Sequence, residues 1–172
     1  MIETPTQTDR AEHLVELLRA ELEGYGELLS LLNAQQQGIL RREPEAVSAH
    51  ASDVDEASER ASALRSSREA WVRECVVEAG LDAEATVHDW LPFCPRASQP
   101  LIEGLVDEIN RTLDRSQQRA RQNQVLLARA IQTIEQIVRL IQPDVGTRTY
   151  TRQGQMSHRG PVAAGGRILG TV

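Results

Sequence analysis

The sequence predicts an all-α protein: an elongated antiparallel bundle of three long helices plus one short helix, followed by a disordered C-terminal tail. Three observations carry that expectation. Apolar residues recur at alternating spacings of four and three along three separate stretches, as in helices that pack through a seam. Pro44, Gly80, Pro100 and Pro143 punctuate those stretches at their ends. Aromatic residues make up only 3% of the chain, which disfavours sandwiches and barrels built on aromatic and β-branched strands. The boundaries divide the chain into a helical domain, residues 1–142, and a flexible tail, residues 143–172.

The first helix carries the seam Leu18, Leu22, Tyr25, Leu29, Leu32, Gln36 and Ile39, with Gln36 as its polar interruption. Asp9 can cap its start, with Glu12 completing a capping-box-like pair. Glu21, Glu23 and Glu27 fall off the seam and read as a solvated face. Gly24 and Gly26 flank Tyr25 in mid-helix, each costing about 1 kcal/mol relative to alanine. A long helix can absorb them, or bend there. The helix should stop before Pro44, since the residue ahead of a proline is pushed out of helical geometry.

Pro44 suits the first position of the second helix, and Gly80 suits a cap after Ala79. Its seam runs Val47, His50, Val54, Ala57, Ala61, Leu64, Arg68, Trp71, Cys75. Helices of this length span roughly 50 Å at about 1.5 Å per residue, hence the elongated bundle. Leu81 to Leu91 reads as a short helix that Leu91-Pro92-Phe93-Cys94-Pro95 breaks. Trp90, Leu91 and Phe93 form the one aromatic cluster and should plug one end of a helical hairpin.

The third long helix starts near Ser98, with Pro100 just inside, and ends before Pro143. Its seam begins Ile102, Leu105, Ile109, Thr112, Ser116, Ala120 and continues Asn123, Leu127, Ala130, Ile134, Ile137, Ile141. The middle is polar, and Val125 to Ile141 is the most apolar stretch of the chain. Val125, Leu126, Ile131, Val138 and Leu140 lie off the seam there, so the apolar face is wider than one buried stripe requires.

Leu, Ile, Val and Phe account for 42 of 172 residues, enough for a lean core. The net charge of −6 gives no general attraction to nucleic acid. The charge is uneven, however. Residues 1–60 hold 5 arginines against 13 acids, and residues 143–172 hold 4 against 1, which suits a protein that meets other proteins. No apolar run approaches membrane-spanning length, and Met1 to Arg10 has no signal-peptide core. Cys75 and Cys94 read as reduced thiols in a cytoplasmic protein.

No catalytic or metal constellation is expected, and no cofactor. His13, His50, His88 and His158 are scattered, and E-x-x-H, H-E-x-x-H, G-x-S-x-G and P-loop patterns are absent. Arg111, Arg115 and Arg119 share one helix face. They could grip RNA, but pairing with the acids of the first helix is the plainer expectation.

Three segments resemble one family in order. They are Leu28-Leu29-Ser30-Leu31-Leu32 with the turn Gly38 to Ala46; Asn123-Gln124-Val125-Leu126-Leu127 followed by Ile131, Ile134 and Ile137; and Tyr150-Thr151-Arg152-Gln153-Gly154-Gln155. Together they resemble the FlgN family of flagellar export chaperones, although Ala120 stands where members often carry a second asparagine. The resemblance implies a cytoplasmic chaperone, not an enzyme. It would bind the C-terminal helical segment of hook-associated proteins and deliver them to the cytoplasmic domain of the flagellar export gate. The cargo-binding residues are then Asn123, Leu126, Leu127, Ile131, Ile134, Ile137, Val138 and Ile141, and the gate-docking residues Tyr150 and Gly154. The alternative is a self-associating coiled-coil or adaptor protein without export cargo, whose apolar seams close as a homodimer. A third is an RNA-binding regulator that uses the arginine face.

Overall fold

The structure, a computed structural model, describes residues 6–82 and 86–141. They form α1 (Gln7–Arg41), α2 (Pro44–Glu78), the short α3 (Val87–Trp90), a 3₁₀ turn (Leu91–Phe93) and α4 (Gln99–Ile141). Among the described residues there is no strand, and the expected three long helices and one short one are present. The chain divides into two units, residues 1–128 and residues 129–172. The second is described only along the end of α4, and the expected tail lies outside the described residues.

α1 starts one turn earlier than Asp9 and Glu12 suggested. Thr6 is the N-cap: its hydroxyl accepts from the Asp9 N–H at 3.2 Å, and the Asp9 carboxylate accepts from the Thr6 N–H at 3.0 Å. That reciprocal pair satisfies two donors a helix start otherwise leaves unpaired. The same bonds hold the Asp9 carboxyl below the usual carboxylate range. At the other end Arg42 takes the left-handed conformation, φ 59°, and lets the chain turn into Pro44. The Glu43 N–H reaches the Gly38 carbonyl and the Arg42 N–H that of Ile39, the bonding of a Schellman ending. Gly80, φ 75°, makes the same ending for α2, as its position predicted, and Leu81 beyond it packs on the core.

α1 and α2 form an antiparallel hairpin. Arg10 meets Glu78 (2.5 Å), Glu21 meets Arg68 (2.5 Å) and Glu27 meets Arg60 (2.7 Å), in opposite order along the two helices. Two expectations need correcting here. Glu21 is not solvated: it is 1% exposed, and both its oxygens accept from the Arg68 guanidinium. An arginine on the α2 seam draws the carboxylate inward, because neither charge can be buried alone. Nor do the acids of α1 pair with the arginine face of α4. Glu21 and Glu27 pair with α2, while Arg111 pairs with Glu108 and Asp107 on its own helix and Arg119 donates to the Gln36 side chain.

Gly24 is buried, and α1 runs through it as one helix. A Cβ there would lie 3.0 Å from the Leu64 side chain and 3.6 Å from the Ala61 backbone. The missing side chain is what lets α2 approach. Gly26 faces open space and has no such role.

The bundle's closed end is built from three helices. Trp71 of α2 stacks edge-on against His13 of α1 (5.2 Å between centroids) and Trp90 of α3 (5.6 Å). Trp90 and Leu91 are buried as expected, but Phe93 is exposed, and Trp71 occupies the place it was expected to fill. The 3₁₀ turn sends Phe93 outward because Pro92 prevents α3 from continuing. The short helix is also confined to Val87–Trp90 rather than extending from Leu81 to Leu91.

Cys75 and Cys94 lie unpaired in the same core. Burial pushes both thiols up, Cys94 to about 11 with the neighbouring Cys75 adding to the effect. A pKa raised on folding means the folded chain holds the proton more tightly. The stabilising contribution is complete below the unfolded value of about 8.5 and is lost as pH rises through about 11. At pH 8, a disulfide reagent should therefore find both thiols unreactive until denaturant is added. Stoichiometric reaction of folded protein within seconds would contradict their burial.

Candidate partner-binding face

α4 returns along α1. It enters at the closed end, where the Ile102 N–H bonds the Ser98 carbonyl and the Gln99 amide holds the Cys94 carbonyl. By Asn123 it lies abreast of Leu32 and Gln35 near the end of α1. Its apolar seam is buried at Ile102 and Ile109 and joins the core that α1, α2 and α3 share. The polar seam positions Thr112, Ser116 and Asn123 are buried too. Ser116 donates to the Thr112 carbonyl of its own helix at 2.9 Å. The Asn123 amide donates to the Leu32 carbonyl and the Gln35 side chain, both at 2.9 Å.

This places the expected cargo-binding residues in three groups. Asn123, 2% exposed, ties α4 to α1. Leu126 and Leu127 are half-buried. Ile131, Ile134, Ile137, Val138 and Ile141 are all exposed, with Ile134 at 60% and Ile141 at 73%. Every described residue from Ala128 onward is exposed. The seam therefore continues past its buried part as an apolar face in solvent. Leu140, 86% exposed, lies on this face and was missing from the expected site, although its place in the most apolar stretch signalled it. Apolar area left in water forgoes about 25 cal/mol per Å². Aliphatic residues this concentrated on one exposed helix face mark a surface built to be covered.

Within residues 1–128, α1 and α4 line a hollow of about 560 Å³, bounded by Gln36, Gln117, Gln118, Gln122, Asp114 and Arg121 and by the apolar Val125 and Leu126. Its signal in the sequence was the interruption of the α1 seam at Gln36. Among the described residues no group of His, Cys, Asp and Glu is placed to hold a metal ion, and no helix is long and apolar enough to cross a membrane. Tyr150 and Gly154, the expected gate-docking residues, lie outside the described residues.

A sequence profile of the family described as FlgN protein matches residues 1–158 of the chain. The chain belongs to the FlgN family. The match runs through all four helices. Flagellar export chaperone function is associated with the FlgN family. No curated protein and no solved structure matches the chain.

Proposed function

We propose that this FlgN family member is a cytoplasmic export chaperone that captures the C-terminal helical segment of hook-associated proteins on the distal face of α4. One observation carries the reading: the exposed aliphatic series from Ile131 to Ile141, on a helix whose preceding turns are packed in a core. An amphipathic helix laid along such a face gains burial of its own apolar side. A cargo segment that orders on binding spends part of that gain on its lost chain entropy, which keeps affinity moderate and release possible. Delivery to the export gate completes the proposal, with Tyr150 and Gly154 as the residues the gate would read.

RNA binding is the weaker reading, since the chain carries a net charge of −6 and two of the three arginines on that face, Arg111 and Arg119, have partners within the chain. The test is co-purification with each hook-associated protein, intact and lacking its C-terminal helical segment. Capture of the intact proteins and loss on truncation is the expected result. Equal capture of the truncated proteins would overturn the reading.

A further inference from the structure

The exposed end of α4 is wider than the part the bundle covers. Written as heptads, the buried part of α4 turns three of its seven rows inward. The rows through Ile102, Leu105 and Val106 are buried or half-buried at every repeat up to Leu127. The next row, Glu103, Asn110, Gln117 and Gln124, is polar and exposed at every repeat. At Ile131 and Val138 that same row becomes apolar. The distal face thus spans four rows without a charge, with Thr133 and Leu140 on one flank, Ile131 and Val138 on the other, and the isoleucine seam between them. Arg129, Glu135 and Arg139 all fall on the three remaining rows.

Four rows of seven span roughly 200° of the helix, about twice the stripe that one neighbouring helix covers. In the bundle itself, three rows are already enough to pack into a core built with the α1–α2 hairpin. We propose that the distal face of α4 is covered by two helices at once, both from one cargo chain, with uncharged residues where they meet the flanks. This rests on the chaperone reading and specifies its ligand as a pair of amphipathic helical segments rather than a single one. The chemistry of the flanks supports it. A coiled-coil partner is ordinarily selected by charges beside the seam, and here those positions are uncharged, so recognition comes from width and shape.

The experiment titrates the purified full-length chain with a purified full-length hook-associated protein by calorimetry. Three variants are compared with the parent: Ile131→Gln with Val138→Gln on one flank, Leu140→Gln on the other, and Ile134→Glu with Ile137→Glu on the seam. All five positions are exposed, and circular dichroism confirms that each variant keeps its helix content. Two bound helices predict a loss of at least tenfold in affinity from the first flank and at least threefold from the second. They also predict less than threefold change between 50 and 500 mM salt. Losses on one flank alone, or on neither, with capture abolished by the seam variant, would show a single helix on the seam. That overturns this inference and leaves the chaperone reading standing. Unchanged capture by the seam variant takes the cargo off this face and overturns this inference, whereas no capture by the parent chain overturns the chaperone reading itself. A free chain that is dimeric by light scattering, becomes monomeric in all three variants and binds cargo unchanged would assign the face to a second copy and overturn this inference.

Discussion

Ile134→Glu combined with Ile137→Glu should lower affinity for a hook-associated protein at least 100-fold, a loss of about 2.7 kcal/mol or more. The two residues sit at the centre of the exposed face, 60% and 49% accessible in the free chain. Central apolar contacts of this kind dominate an interface once covered, and a carboxylate placed there must be desolvated without a partner. The free chain has little to lose, because neither side chain is in its core. Leu127, which the sequence places on the same seam, is left intact for that reason: it is half-buried, and changing it would mix stability with binding. The measurement is affinity by calorimetry, with helix content and melting temperature recorded on the same samples. Full capture by a folded variant would remove this face from the cargo site.

Glu21→Ala should be the most destabilising single substitution outside the apolar core, at about 3–5 kcal/mol. Against a total stability of roughly 5–15 kcal/mol, that is a large fraction. It corresponds to a fall of about 10 °C in melting temperature for a chain of this size. The cost comes less from losing an ion pair than from leaving the Arg68 guanidinium desolvated, its own side chain only 16% exposed. The control follows from the same physics. Removing both charges together, as Glu21→Leu with Arg68→Met, should recover most of the loss, since a buried pair can be replaced by apolar residues at little cost. Glu27→Ala, which breaks the exposed pair with Arg60, should cost under about 1 kcal/mol. If Glu21→Ala and Glu27→Ala melt together, the Glu21 site is not desolvated in solution.

These two sites differ in how far the sequence revealed them. The seam residues of all three long helices were legible, because a spacing of four and three permits only one face to be buried. Helix ends were legible within a turn, because proline and left-handed positions act locally. The choice of Thr6 over Asp9 as cap was open to the same local rule, since Thr6 and Asp9 have capping-box spacing as well. Glu21 was not legible. A carboxylate beside a seam is solvated unless a cation arrives opposite, and Arg68 lies 47 residues away. Trp71, a residue of the α2 seam, enters the plug in place of Phe93 for a related reason: which aromatic ring enters depends on how α3 docks, and periodicity says nothing about that.

The sequence by itself determined the helices, their apolar faces, their punctuation and the stretch richest in aliphatic residues. Those follow from side-chain volume, backbone geometry and spacing along one chain. Only the tertiary structure decided which part of an apolar face is covered. The α4 seam has the same repeat before and after Asn123. It is buried where the bundle packs against it, and exposed from Ala130 onward. Periodicity reports that a face is apolar. Whether it forms a core or a binding surface depends on what lies against it, and that is settled by folding in three dimensions.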